Sequence, residues 1–199
     1  MVEKIFLTRH VELPTGKREL TGFHVLKEGD LFLVGRDKGA NAVVEEVEFS
    51  RFHSVAKVLR DENGELALFF FDLNPKNKLT FIKSEKLTGP SETPRLVDAL
   101  TSSEEYKIMG NKLVESLKEK PNASKVRELL EKIPNDVFLK KAKRLYSKNS
   151  FHYLFERRFL KSEENDEYIV CRTIHSFELA KPSLFGRFAF FFKKIFRRD

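Results

Sequence analysis

Three short segments carry residue types that can hold a multiply charged anion. The first is Gly35-Arg36, at the end of an apolar run. The second is Ser50-Arg51-Phe52-His53, with Ser50 fourteen residues after Arg36. The third is Asp72-Leu73-Asn74-Pro75-Lys76-Asn77. A phosphate ester is close to a dianion at neutral pH and presents three acceptor oxygens. Holding one takes a fixed cation and short donors from neighbouring loops. Arg36 supplies a forked, charged donor set. Ser50 brings a hydroxyl and its own backbone N–H, and Arg51 or Lys76 adds charge. Metal and covalent chemistry have much thinner support. Of the histidines only His175 has a ligand-type neighbour, Cys171, and no second pair completes a tetrahedral site. No Gly-x-Ser-x-Gly, Walker A or His-Glu-x-x-His pattern occurs. The acidic pairs Glu45-Glu46 and Glu104-Glu105 read as solvated or capping residues. The expectation is a binding protein, not an enzyme, with no metal and no cofactor.

The elements that must position these residues are strands. Residues 1–90 read as β throughout: Ile5–Leu7, Phe23–Leu26, Leu31–Val34, Ala42–Val44, Ser54–Leu59, Leu66–Phe71 and Leu79–Ile82 are short candidates separated by turn chemistry such as Pro14-Thr15-Gly16 and Glu28-Gly29-Asp30. Many short strands at regular spacing suggest a sandwich or barrel. Thr88-Gly89-Pro90-Ser91 reads as a linker. Beyond it, Thr93-Pro94 looks like a helix start, Ser102 and Glu105 have the capping-box spacing, and three apolar stripes follow: Tyr106/Met109/Leu113/Leu117, Val126/Leu129/Leu130/Ile133, and Phe138/Ala142/Leu145 after Asn135. Stripes of this kind pack together or onto the β domain. Residues 150–178 admit two readings, a hairpin turning at Glu163–Asp166 or a helix from Phe151 to Leu160. The expected fold class is α+β: a β-sandwich over residues 1–90, a mainly helical region over 91–180, and a tail over 181–199.

The three segments, in that order within an all-β stretch, resemble the signature of forkhead-associated (FHA) domains. Asn41–Val44 is similar to the strand that follows the Gly-Arg loop in that family. The resemblance covers about residues 1–90 and implies an FHA-type sandwich that binds phosphothreonine peptides. By that resemblance Arg36 and Ser50 grip the phosphate and Asn77 hydrogen-bonds the peptide backbone. His53 braces the loops from inside, and Gly35 stands where a side chain would crowd the loop. Lys78 occupies the place of the family's usual glycine, so Asn74 is the alternative to Asn77. The partner implied is a threonine-phosphorylated protein, and the role a non-enzymatic adaptor in kinase-linked signalling. The rival is a membrane- or complex-associated structural protein whose FHA-like fold no longer reads phosphate.

The formal net charge is +7, but from Lys181 onward the chain has six basic residues and one acidic. The basic character therefore belongs to the tail and gives no reason to expect nucleic acid. On a helical projection Phe185, Phe188 and Phe192 fall on one side with other apolar residues. Lys193, Lys194 and Arg197 fall on the other. A basic amphipathic helix of this kind reads either as an anchor to an anionic membrane surface or as a terminal helix docked on the protein's own core. Cys171 is the single cysteine, so no intrachain disulfide can form. No apolar run approaches a signal peptide or a membrane span. The expected location is cytoplasmic, with peripheral membrane attachment if the tail is an anchor. The sequence does not indicate an oligomeric state.

Overall fold

A computed structural model describes residues 4–73, 80–83, 93–118, 122–146, 149–162 and 167–180. Asn74, Lys76, Asn77 and the tail with Phe185, Phe188, Phe192, Lys193, Lys194 and Arg197 lie outside the described residues. Seven strands come first: β1 Lys4–Glu12, β2 Arg18–Lys27, β3 Leu31–Gly35, β4 Ala42–Val43, β5 Ser54–Arg60, β6 Leu66–Asp72 and β7 Thr80–Lys83. Four helices follow: α1 Leu96–Thr101, α2 Lys107–Lys118, α3 Ala123–Glu131 and α4 Asn135–Lys141. The chain then returns to β structure with β8 Lys143–Leu145, β9 Ser150–Ser162 and β10 Glu167–Ala180.

The strands form two five-stranded sheets, ordered β2-β1-β10-β9-β7 and β4-β3-β5-β6-β8. Their facing sides make one core. Leu7, Phe32, Val34, Ala56, Val58, Leu68, Phe70, Phe151, Tyr153 and Phe177 are buried in it. The second sheet is covered on its other face as well. Leu33, Val55, Phe69 and Phe71 point away from the sandwich and pack under Leu96, Leu100, Leu113, Val126, Leu130, Val137 and Phe138 of the helices. Burial on both faces is why β6 reads Leu-Ala-Leu-Phe-Phe-Phe, without the polar alternation of a half-exposed strand. The protein is thus α+β, two sheets with a helical layer on one of them. Lys57 is a buried cation in that second interface, its ammonium 5.5 Å from the centre of the Phe138 ring. Burial pushes its pKa down, with Glu131 opposing.

The sandwich does not close within residues 1–90. β1 pairs with β10 from Phe6↔Ala180 to Glu12↔Ile174, and β10 pairs with β9. Residues 150–162 and 167–180 are therefore the two arms of a long antiparallel hairpin, and the helical alternative for Phe151–Leu160 does not hold. The third apolar stripe is also cut short. α4 ends at Lys141, and Leu145 faces Leu68 across a β8–β6 ladder. β8 is latched by the β5–β6 turn. The Tyr146 hydroxyl donates to Asp61 Oδ2 at 2.7 Å, and Arg144 lies 3.4 Å from the same oxygen. Oδ1 of Asp61 accepts the N–H groups of Asn63 and Glu65, each at 2.9 Å. The Tyr146 bond, foremost, holds the Asp61 carboxyl below its usual range. Near the first helix, Thr93-Pro94 is not its start. The Pro94 carbonyl accepts from the Asp72 N–H at 3.0 Å, and Arg95 is the N-cap.

Residues 1–90 expressed alone lack β8, β9, β10 and the helical layer. They are expected to show no cooperative thermal transition, whereas the whole chain does; circular dichroism melts of the two decide it.

Candidate functional site

The site is assembled by one close backbone approach at the end of β3. A Cβ on Gly35 would collide with the Arg51 carbonyl oxygen and would stand 2.9 Å from Phe52 Cα. Glycine therefore lets the start of the β3–β4 loop lie flat against the end of the β4–β5 loop. Backbone bonds fix the join. The Arg36 N–H donates to the Ser50 carbonyl and the Asp37 N–H to the Arg51 carbonyl, each at 3.0 Å; the His53 N–H donates to the Val34 carbonyl at 2.9 Å. Arg36 and Arg51 are exposed and Ser50 is half-buried. Among the described residues neither guanidinium makes an ion pair. Two cationic side chains and a hydroxyl thus stand on adjoining loops, a set of donors suited to an anion.

The base of the site is apolar. His53 is fully buried, stacked on Phe49 with centroids 4.0 Å apart and edge-on to Tyr153 at 5.4 Å. Burial pushes its pKa down to about 3. The ring is neutral at physiological pH and brings no positive charge to a ligand. Its backbone carbonyl accepts from the Leu73 N–H at 2.8 Å, and the neighbouring Ser54 hydroxyl donates to Asp72 Oδ1 at 2.7 Å. The third segment therefore leaves β6 beside His53. Under the β4–β5 loop lies a second polar group. Glu46 comes within 3.6 Å of His175, which is 3.3 Å from Arg9. Burial and then Arg9 push the His175 pKa down while Glu46 opposes them. No cluster of three metal-ligating side chains exists among the described residues.

Two further residues have a role here: Asn41, which the sequence marked only as the start of a strand, and Arg127, which gave no signal in it. Asn41 Oδ1 accepts the Leu33 N–H at 2.9 Å, filling the place of a ladder bond that the two-residue β4 does not reach. Arg127 of α3 donates to the same oxygen at 3.1 Å and lies 3.4 Å from the Gly39 carbonyl. Asn41 and Arg127 also line a cavity of about 550 Å³ with His24, Asp30, Phe32 and Glu131.

The fold is an α+β sandwich, and at one end of its second sheet two adjoining loops carry the exposed Arg36 and Arg51. No family model matches the sequence, and no curated protein matches it. Among solved structures the chain is similar to FHA-1 of Mycobacterium tuberculosis Rv1747. The identity is 13%, the TM-score 0.35, and the match covers 90% of this chain and 100% of that one. A likeness of this size supports neither a shared site nor a shared ligand.

Gly35→Ala is expected to destabilise the protein by about 1–3 kcal/mol in urea unfolding, because backbone must move to admit the methyl group. Acid should act through His53. Its folded pKa lies below the unfolded value, so the unfolded chain takes up the proton first. Stability is full above about pH 6.5 and falls as the pH drops toward 3, by at most about 1.4 kcal/mol per unit from this one group. His53→Gln should flatten that slope in a series of urea midpoints against pH.

Proposed function

We propose that this protein is a non-enzymatic adaptor that binds a threonine-phosphorylated partner through the Arg36 and Ser50–Arg51 loops. The observation that carries this reading is the Gly35 approach, which sets Arg36 beside Ser50 by paired backbone hydrogen bonds while leaving both arginines exposed. A phosphate held there meets a forked guanidinium, a hydroxyl and a second cation. The loops already hold one another through the backbone, so little ordering is left for the moment of binding. A peptide backbone crossing the site would meet the segment that starts at Leu73, where Asn77 or Asn74 would contact it. Threonine is favoured over serine in this reading if its methyl group finds a pocket between the loops. The protein would work in the cytoplasm, downstream of a threonine kinase.

The test is binding of an oriented phosphothreonine peptide library to the whole chain, beside the unphosphorylated library and Arg36→Ala. Micromolar-range binding that needs the phosphate is expected. Arg36→Ala should weaken it about ten- to a hundredfold, the loss of a charge-assisted, bidentate contact. A folded protein that binds no phosphopeptide, or binds equally without the phosphate, sinks the proposal.

A further inference from the structure

We infer that Arg127, in the helical layer, is a positioning residue for the anion-facing loop, an inference that rests on the phosphopeptide reading of that loop. The starting point is a gap in the β3 ladder. β4 pairs with β3 only at Val34↔Ala42 and Gly35↔Val43. On the open stretch before them the Leu33 N–H is met by the Asn41 side chain instead. A side-chain amide on an exposed residue is a weak substitute for a strand, because it has rotamers to lose and water to compete with it. Arg127 addresses that weakness. Its guanidinium donates to the same Oδ1 at 3.1 Å and approaches the Gly39 carbonyl at 3.4 Å. One oxygen thus joins β3, the loop and α3.

A second contact sets the loop against the helix. A Cβ on Gly39 would collide with the Cβ of Ala123, the first residue of α3. Glycine in the loop lets it approach the start of the helix this closely, and position 39 has no room for a side chain. The helix itself is firmly seated: Val126 and Leu130 are buried against the second sheet. Arg127 sits one residue beyond Val126, on the flank of the buried stripe, and there it reaches the loop. Within the loop, Asp37 Oδ1 accepts the Gly39 N–H at 2.9 Å and the Asp37 carbonyl accepts the Ala40 N–H at 3.0 Å. These bonds tie the middle of the segment from Arg36 to Asn41 to itself. Its far end is held by Arg127 and its near end by Ser50 and Arg51. Releasing the far end would let the loop that carries Arg36 shift relative to Ser50.

The experiment uses the whole chain and reads two quantities, the affinity for a phosphothreonine peptide selected from the library and the amide hydrogen exchange of Leu33 and Gly39–Asn41. Arg127→Ala is expected to weaken the peptide about five- to tenfold, a lost charge-assisted hydrogen bond at a partly exposed site. It should also speed exchange at those amides and leave the thermal midpoint within a few degrees. Arg127→Lys, which keeps one donor, should retain most of the affinity. Gly39→Ala should reproduce the Arg127→Ala behaviour from the loop side. The inference is overturned if Arg127→Ala leaves affinity and loop exchange as in the parent. It is equally overturned if affinity falls only in step with global stability and Arg127→Lys restores nothing. Should the parent protein bind no phosphopeptide, the binding reading fails by itself, and faster loop exchange in Arg127→Ala still supports the brace.

Discussion

The backbone of Gly35 lies against the backbone of Arg51 and Phe52 more closely than any side chain would allow, and the site depends on that contact. From it follow the pairing of Arg36 with Ser50 and of Asp37 with Arg51, and the bond from the His53 N–H to Val34. The same residue passes the constraint on, since the His53 carbonyl receives the Leu73 N–H. Three segments far apart in the chain are thus tied in series by main-chain hydrogen bonds, which need no particular side chains. The side chains displayed at the top are left free of structural duty. The ring beneath them does structural work: His53, neutral and stacked on Phe49, fills the space under the loops as an aromatic would.

The helical layer is part of the same structure. Val55, Phe69 and Phe71 would stand in water without it, and nearly every residue of β5 and β6 is buried. Apolar area of that kind is the main stabilising term available to a domain of this size. The chain inserts the four helices between β7 and β8, so both ends of the insertion are fastened to sheets. β8 pairs with β6 at one end, and Arg95 bridges to Asp72 at the other. A helical unit attached only at its start could swing on a linker; this one is held at both ends and across its whole buried face.

Much of this was legible in the sequence, and what was not has physical reasons. Short strands and their turns show through alternation and turn residues, and the spacing from Arg36 to Ser50 marks two loops that do meet. The helices show through their stripes, although the stripe of Phe138 and Ala142 runs on to Leu145, where pairing with β6 overrides the helical spacing. The closing hairpin was ambiguous because Phe151, Tyr153 and Phe155 alternate with His152 and Leu154 in a run that also suits a helix. What settles it is the pairing of β9 with β10, and of β10 with β1 more than 160 residues away, which local pattern does not contain. Arg127 was invisible for a similar reason. An arginine on a charged helix face looks solvated until its partner, 86 residues earlier, is known.

Stability and site geometry meet in α3. Its buried side anchors the helical layer through Val126 and Leu130, its flank carries Arg127 to the loop, and its outer side carries the exposed Glu128–Lys132 pair. The three sides have different consequences. Loss of a buried side chain loosens the helix and with it the loop, so stability and loop geometry change together. An exposed ion pair contributes little to either. Only the flank separates the two, because Arg127 acts on the loop without carrying the packing that holds the helix down. A loop set at the junction of a sheet edge and a helix is therefore shaped by residues of the helical layer as well as its own, and a fragment confined to the first seven strands would lack the contacts that shape it.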